Sequence, residues 1–285
     1  MQLYNEHAQS HCFVKSTALN RSSHTTSAPL SAVLSSARST IEEVGLLTRF
    51  TARFFKTVFR PRYEFAELLR QCYTMGYRSF PLVVITGFIM GLVLTIQSRP
   101  TLAEFGAESW LPSMVAISII REIGPVIIAL IFAGKVGSGI GAELASMKVT
   151  EQIDAMEVAG NNPFRYIVVT RVAAATLTLP LLVILADAVS LYGAYVGVNL
   201  KADVNARLFL IQVFEKLDFS DIFPACIKTV FFGFAVGIIG CFKGYNSNKG
   251  TEGVGAAANS SVVIGSLLIF IIDMIAVQIT SLYIQ

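Results

Sequence analysis

The sequence predicts an all-α integral membrane protein in which an N-terminal interfacial amphipathic helix precedes five transmembrane helices. Composition is the first indication. Of the 285 residues, 54% are hydrophobic and only 14% are charged, whereas soluble domains carry about 25% charged residues. The mean hydropathy is +0.63. The second indication is a series of five apolar stretches, each near the ~20 residues that an α-helix needs to cross a bilayer. Little of the chain is left to form a soluble domain.

The first 40 residues are rich in Ser and Thr, and Glu6 is their only acidic residue. No apolar segment of the signal-peptide type occurs there. We predict that residues 1–40 are a disordered tail. An organelle transit peptide has a similar composition and is the alternative.

The next region, residues 41–79, is basic and amphipathic. Apolar residues within 41–59 recur near helical spacing, while Arg49, Arg53 and Lys56 take other positions. A helix of this kind lies in the membrane interface, with its apolar side in the lipid and its cations near the headgroups. We therefore predict an interfacial helix before the first span.

Residues 80–285 hold the five predicted spans. These are 80–98, 113–134, 166–197, 223–243 and 261–283. Basic residues concentrate before the first span, which predicts a cytoplasmic N-terminus. Five crossings then place the C-terminus outside. The connection at 198–222 carries mixed charges, including Asp218 and Asp221, and indicates little about orientation.

Two neighbouring charges, Arg121 and Glu122, lie inside the second span. Each costs at least ~2.5–3.5 kcal/mol at mid-depth in a membrane. Neighbours on a helix point about 100° apart, so each charge needs its own partner or access to water. Lys228 is a candidate partner of Glu122, and Asp187 and Asp273 are further candidates. The pattern predicts either a polar patch along a substrate path or an ion-pair network that fixes helix register.

Residues 150–160, between the second and third spans, predict a short surface helix with Thr150 as its N-cap. Ile153 and Met156 share one side of this helix, and its acidic residues occupy another. An acidic helix is repelled by anionic lipid, so its apolar edge favours docking to a protein. The candidate docking residues are Glu151, Ile153, Asp154, Met156 and Glu157.

Small residues recur every four positions along the second span, at Ala133, Gly137, Gly141 and Ala145. Such a stripe lets helices pack closely and predicts a bundle. All three histidines lie in the first 24 residues, and the four cysteines form no CxxC pair. We therefore predict no metal site, no cofactor and no catalytic residues. The net charge of +3 is too small to indicate nucleic-acid binding.

Three strings carry a resemblance to a known family. They are REIGPVIIALIFAGKVGSGIGAELASMKVTEQIDAMEVAG, NPFRYIVVTRVAA and KGYNSNKGTEGVGAAANSSVV. Over residues 45–283 the chain resembles the MlaE (YrbE) family of ABC transporter permeases, the membrane subunits of Mla and other MCE-linked lipid transport systems. The resemblance implies a multi-pass homodimer in the cell inner membrane that moves phospholipid and leaves ATP hydrolysis to a separate cytoplasmic ATPase. It also implies an MCE-domain partner on the outer side and allows a small STAS-type accessory subunit. An organelle inner envelope is the alternative location.

The resemblance further assigns sites. It implies that residues 150–160 are a coupling helix seated in the ATPase, and that lipid occupies an outward-open cavity lined by the first, second and fifth spans. Polar cavity positions carry over to Arg121, Glu122 and Lys228. Apolar contacts to the lipid tails carry over to Leu94 and Leu102. Phe105 stands where an enterobacterial relative has tyrosine, so it is a lipid contact without the hydroxyl group.

Two other functions fit the residues. A stand-alone secondary transporter or channel would use Glu122, Asp187 and Asp273 as a proton or cation relay and would need no ATPase. A purely structural scaffold would anchor a periplasmic or lumenal partner, and substitution of Arg121, Glu122 or Lys228 would then leave lipid movement intact while assembly mutants fail. Transport in liposomes without an ATPase distinguishes the gradient-driven alternative from an ATP-driven permease.

Overall fold

The computed structural model describes residues 28–58, 64–200, 204–248 and 250–284 of the chain. The predicted tail at 1–40 lies mostly outside these described residues. The first helix begins at Ala28, before the predicted start at 41, and ends at Val58. Residues 53–285 form one compact unit, and this unit contains all five spans.

Five helical segments are long and apolar enough to cross a membrane, as the sequence predicts. Every element in the described part of the chain is helical. The spans are Phe65–Glu104, Glu108–Val149, Phe164–Asn199, Ser220–Tyr245 and Thr251–Leu282.

The second span contains two wide, π-helical turns. These turns are Ile119–Ile123 and Ala133–Gly137. They separate the α-helical segments Leu111–Ser118, Gly124–Phe132 and Ser138–Val149. Pro125 lacks the N–H that would bond the carbonyl of Arg121, so the α-helical ladder is incomplete where the first wide turn lies. A third wide turn, Phe164–Val169, opens the third span.

Glycines set the close approach of the first and third spans. A Cβ atom on Gly91 would lie 1.8 Å from the carbonyl oxygen of Ser190, so only glycine fits there. The contacts along these two helices run in parallel, as the pairs Gly76–Thr178, Gly87–Ala186 and Thr95–Gly197 show. Parallel packing is the arrangement expected when a second span returns the chain between them.

The predicted small-residue stripe packs the second span between the fourth and fifth. A Cβ on Gly141 would lie 2.5 Å from Ser261 Oγ of the fifth span, and one on Gly244 of the fourth span would lie 2.7 Å from Gly141 O. Alternate spans are parallel, so the first, third and fifth spans end at one membrane face. We name this the cavity face, and we name the other the opposite face.

Two short helices connect the spans. Gln152–Val158 links the second and third spans at the opposite face. Ala206–Lys216 lies between the third and fourth spans at the cavity face, where the sequence predicted no helix. The Asn205 side chain caps it by accepting the N–H of Arg207 at 3.1 Å. Its buried Phe209 belongs to an apolar cluster with residues of the first, second and third spans.

Candidate functional site

Arg121 pairs with Asp221, which is a partner that the sequence did not predict. Arg121 Nε donates to Asp221 Oδ1 at 2.7 Å, and the same oxygen contacts Arg121 Nη2. The Asp221 side chain is only 6% exposed, whereas that of Arg121 is 42% exposed. The buried carboxylate therefore holds a guanidinium group that still reaches the cavity face.

Asp221 is held in place by the start of the fourth span. Asp218 and Asp221 form a capping box, in which each side chain accepts the backbone N–H of the other residue. The helix Phe219–Tyr245 thus begins with a fixed carboxylate. Two acidic residues three apart before an apolar run are a sequence signal for this arrangement, and that signal could have identified Asp221.

Lys228 pairs with Glu122, as predicted, and also with Asp273. Its Nζ donates to Glu122 Oε2 at 3.1 Å and to Asp273 Oδ1 at 3.0 Å. The Lys228 side chain is 5% exposed, and that of Asp273 is 18% exposed. One buried ammonium group therefore joins the second, fourth and fifth spans.

Four of these charged residues line a cavity of about 330 Å³ at the cavity face, namely Arg121, Glu122, Asp221 and Lys228. Its apolar wall comes from the fourth and fifth spans, with Pro224 and Val277 among the lining residues. The more exposed members of the two ion pairs are Arg121, at 42%, and Glu122, at 44%. The cavity thus offers one accessible cation and one accessible carboxylate beside apolar surface.

Asp187 does not join this network. Its Oδ1 atom is buried and has no hydrogen-bond partner among the described residues. This oxygen faces the backbone of the second span, since a Cβ on Gly124 would lie 2.2 Å from it. Of the three carboxylates considered for a relay, Glu122 and Asp273 are hydrogen-bonded to Lys228, whereas Asp187 Oδ1 has no hydrogen bond among the described residues.

The three apolar residues that are predicted to contact lipid do not line the polar cavity. Leu94 and Leu102 are half-buried and pack against the cluster that includes Leu111 and Phe209. Phe105 directly follows the helix that ends at Glu104 and is 79% exposed. The structure therefore brings together Arg121, Glu122 and Lys228 but not the apolar set, whose role in lipid binding stays a prediction.

The predicted coupling helix is present as Gln152–Val158, with a different N-terminus from that expected. The expectation that Thr150 is the N-cap is wrong. Thr150 ends the preceding helix, and its hydroxyl donates to Ser146 O at 2.9 Å. Glu151 takes the N-cap position with a left-handed backbone, at φ 57°. The chain turns sharply between the two helices, and Thr150 lies on the earlier side of that turn.

The C-terminus of this short helix has a Schellman motif. The N–H of Gly160 bonds Glu157 O at 3.0 Å, and the N–H of Asn161 bonds Met156 O at 3.1 Å. Gly160 has a φ of +79°, which glycine adopts without strain. Both ends of the helix are thus fixed by backbone geometry.

The exposed edge of the short helix differs from the predicted one. Ile153 is 5% exposed and so belongs to the interior, and Met156 is half-buried. Val158 is instead 90% exposed. Spacing places Ile153 and Met156 on one side, but it does not say whether that side faces the bundle or the surroundings. The acidic residues Glu151, Asp154 and Glu157 are exposed, as predicted.

Comparisons with known proteins agree with this architecture. The family model described as Permease MlaE matches residues 68–279. A probable ABC transporter permease protein of Rickettsia typhi is 38% identical over 230 residues, which cover 81% of this chain and 89% of that protein. The intermembrane phospholipid transport system permease protein MlaE of Haemophilus influenzae is 36% identical over 216 residues, which cover 75% of this chain and 82% of that protein.

Proposed function

The chain belongs to the MlaE family of ABC transporter permeases, and on that premise we propose that it moves a glycerophospholipid between the cell inner membrane and an MCE-domain partner. A separate cytoplasmic ATPase supplies the energy, and this chain itself catalyses no reaction. The relative from Haemophilus influenzae carries a name for intermembrane phospholipid transport, which supports lipid as the cargo.

The observation that carries the proposal is the charge network in the cavity. Lys228 and Asp221 are buried inside a membrane-spanning bundle, at 5% and 7% exposure. Placing charges there is costly unless they are paired, and an anchor would not need them. Their partners Arg121 and Glu122 remain accessible, so the network holds two opposite charges ready at the cavity wall.

The accessible pair fits a zwitterionic lipid headgroup. A guanidinium group such as that of Arg121 binds phosphate through charge-assisted hydrogen bonds. The carboxylate of Glu122 can meet an amine on the same headgroup. The apolar wall of the fourth and fifth spans, including Val277, suits the start of the acyl chains.

The short helix Gln152–Val158 is the proposed docking element for the ATPase. It lies at the opposite face from the cavity, which is the arrangement needed when the ATPase is cytoplasmic and the lipid cavity opens on the outer side. Its exposed surface combines Val158 with the carboxylates of Asp154 and Glu157. The buried Ile153 anchors it to the bundle, so a push on the helix reaches the spans.

The second and fourth spans are tied together at both faces. At the opposite face, Lys148 Nζ donates to Tyr245 O at 3.0 Å. At the cavity face, Arg121 bonds Asp221. We propose that these two spans move as one body when the ATPase closes, and that the cavity opens or closes against the fifth span through the contact of Lys228 with Asp273.

A second copy of the chain completes the proposed transporter. The fifth span is the least buried of the five described spans, which leaves much of its surface for a partner permease or for lipid. On the outer side the dimer would meet the MCE-domain protein, and on the cytoplasmic side two ATPase subunits. A STAS-type subunit bound to the ATPase belongs to the same proposal.

The test is ATP-dependent lipid transfer by the complete complex in liposomes. We expect Arg121→Gln to slow the transfer of fluorescent phosphatidylethanolamine to the MCE-domain partner about 10- to 100-fold, the range for one charge-assisted hydrogen bond. Arg207→Gln is the matched control, because Arg207 is exposed on the helix Ala206–Lys216 and does not line the cavity.

The outcomes separate the candidate functions. Normal transfer by Arg121→Gln would remove this residue from the lipid site. Transport of lipid or ions by the permease alone, without its ATPase, would instead favour the secondary transporter that uses Glu122, Asp187 and Asp273. A complex that assembles and never moves lipid would favour the scaffold.

A further inference from the structure

A second polar cavity lies at the opposite face, and the proposed function does not use it. Its volume is about 570 Å³. It lies between the first, second and fifth spans, and its polar lining includes Thr74, Arg78, Ser79, Lys135 and Ser146. These helices form the apolar bulk of the bundle, so a cavity with this many polar side chains has to be explained.

Two cations of this cavity lack acidic partners. Arg78 and Lys135 are both exposed, and neither forms an ion pair with a carboxylate among the described residues. Lys135 Nζ donates to the backbone oxygen of Arg78, and both residues line the same cavity. Like charges that share a cavity repel each other, so an anion bound there would lower the energy of both.

The carboxylate of the same cavity is already neutralised. Glu143 accepts from Arg171 Nη2 at 2.7 Å, and Arg171 is buried, at 4% exposure. The charges of Arg78 and Lys135 therefore remain uncompensated within the cavity. This differs from the first cavity, where Arg121 and Lys228 both contact carboxylates.

A buried hydroxyl group also lacks a partner here. Ser79 is 1% exposed, and its Oγ forms no hydrogen bond among the described residues. Other hydroxyls on the same helix, such as that of Thr95, donate to a carbonyl four residues earlier. An unpaired donor in the same cavity as two cations suits an oxygen-rich anion.

The two cavities lie at different depths of the second span. Arg121 and Lys135 each occupy one of its two wide turns. Fourteen residues separate them, which is roughly 20 Å along a helix and a large part of the ~30 Å hydrocarbon thickness. Ser146, at the far end of the second cavity, is six residues before the short helix Gln152–Val158.

From these contacts we infer that Arg78 and Lys135 form a second anion site, which binds a phosphate group at the membrane face where the ATPase docks. A phospholipid headgroup of that leaflet and free phosphate share this chemistry. This inference rests on the proposed function only for the assignment of the opposite face to the cytoplasmic side of the membrane. A headgroup bound here would lie near the short helix Gln152–Val158, which transmits the motion of the ATPase in the proposed function. From this position the lipid could enter or leave the path to the first cavity.

The experiment places a fluorescent reporter in the second cavity of the full-length protein. The chain has a single tryptophan, so Trp110→Phe combined with Val254→Trp gives a reporter on the cavity lining. The protein is placed in phosphatidylcholine nanodiscs, and brominated phosphatidylglycerol is titrated in. We expect quenching at a lipid fraction about tenfold lower than for brominated phosphatidylcholine, since one charge-assisted contact is worth at least this factor.

Variants then identify the cations. Arg78→Gln should remove most of that preference and still fold, because the Arg78 side chain is exposed and only its backbone oxygen bonds Lys135. Arg78→Gln with Lys135→Gln should abolish the preference. Arg207→Gln and Arg121→Gln should keep it, and the second of these separates this site from the first cavity.

The possible results separate a wrong site from a right one and identify the ligand. Equal quenching by the two brominated lipids together with no binding of inorganic phosphate, or an unchanged preference in Arg78→Gln, would overturn the site and leave the transport proposal intact. Reversal of quenching by millimolar inorganic phosphate would confirm the anion chemistry. Phosphate binding seen by 31P line broadening without any lipid preference would identify free phosphate, not a headgroup, as the ligand.

Discussion

Lys228 is the residue whose removal should disturb the structure most. In Lys228→Met the side chain keeps an unbranched apolar stem, one atom shorter than that of lysine, and loses its ammonium group. Glu122 Oε2 and Asp273 Oδ1 then lose a donor at 3.1 and 3.0 Å. Breaking a buried ion pair costs about 3–5 kcal/mol. Most of this cost should fall on Asp273, because its side chain is 18% exposed and that of Glu122 is 44% exposed.

Thermal unfolding of the detergent-purified protein measures this loss. For a chain of this size, about 3–5 kcal/mol corresponds to a fall in melting temperature on the order of 10 °C. Adding Asp273→Asn to Lys228→Met removes the stranded charge, so the double variant should recover about half of the loss. Arg207→Gln, on an exposed residue, should change the stability by less than about 0.5 kcal/mol.

Two results would refute this reasoning. One is a Lys228→Met protein as stable as the wild type, which would mean that the ion pairs contribute nothing to the bundle. The other is a double variant less stable than Lys228→Met alone. In that case Asp273 would stabilise the bundle through something other than Lys228.

Three further predictions concern coupling and packing. Val158→Asp should prevent co-purification of the ATPase without lowering the melting temperature, because Val158 is 90% exposed; an intact complex would remove it from the docking surface. Ile153→Ala should instead lower the stability by about 2 kcal/mol or more, as expected for a buried isoleucine, and an unchanged melting temperature would contradict its role as an anchor. Gly91→Ala should prevent normal packing of the first and third spans, since the new Cβ would lie 1.8 Å from Ser190 O; Gly134→Ala, with no atom within 4 Å, is the control that should fold normally.

The spans were predictable because their signal is local. A run of about 20 apolar residues is recognisable wherever it lies in a sequence, and all five runs fall in helices that are long and apolar enough to cross a membrane. The contact of Lys228 with Glu122 was predictable for a related reason. Few charges occur in the spans, and the cost of leaving any of them unpaired limits the choice of partner.

The features that the sequence did not predict depend on tertiary contacts between helices. Asp221 was counted among the charges of a connection, and only the capping box at the start of the fourth span brings it to Arg121. The buried position of Ile153 depends on how the two-turn helix lies on the bundle. Periodicity identifies the side on which Ile153 lies, but not what that side faces.

The sequence also did not predict the helix that links the third and fourth spans. The helix Ala206–Lys216 gives a weak signal, because it is short and its charges resemble those of a loop. Its place becomes clear only when Phe209 is seen packed with Leu111 and with the residues near Leu94. The lipid-tail contacts assigned to Leu94 and Leu102 share this difficulty, since the surface they form depends on a neighbouring helix.

The most direct test of the central claim is to ask whether phospholipid occupies the first cavity during transport. A photo-crosslinking amino acid at Thr280, which lines that cavity, is introduced into the full complex in membranes that carry 32P-labelled phospholipid. Met274, a fifth-span residue that is 67% exposed, is the control position. We predict that labelling at Thr280 depends on ATP and on Arg121, while labelling at Met274 depends on neither. Equal labelling at both positions, unaffected by ATP or by Arg121→Gln, would contradict the assignment of this cavity to the lipid path.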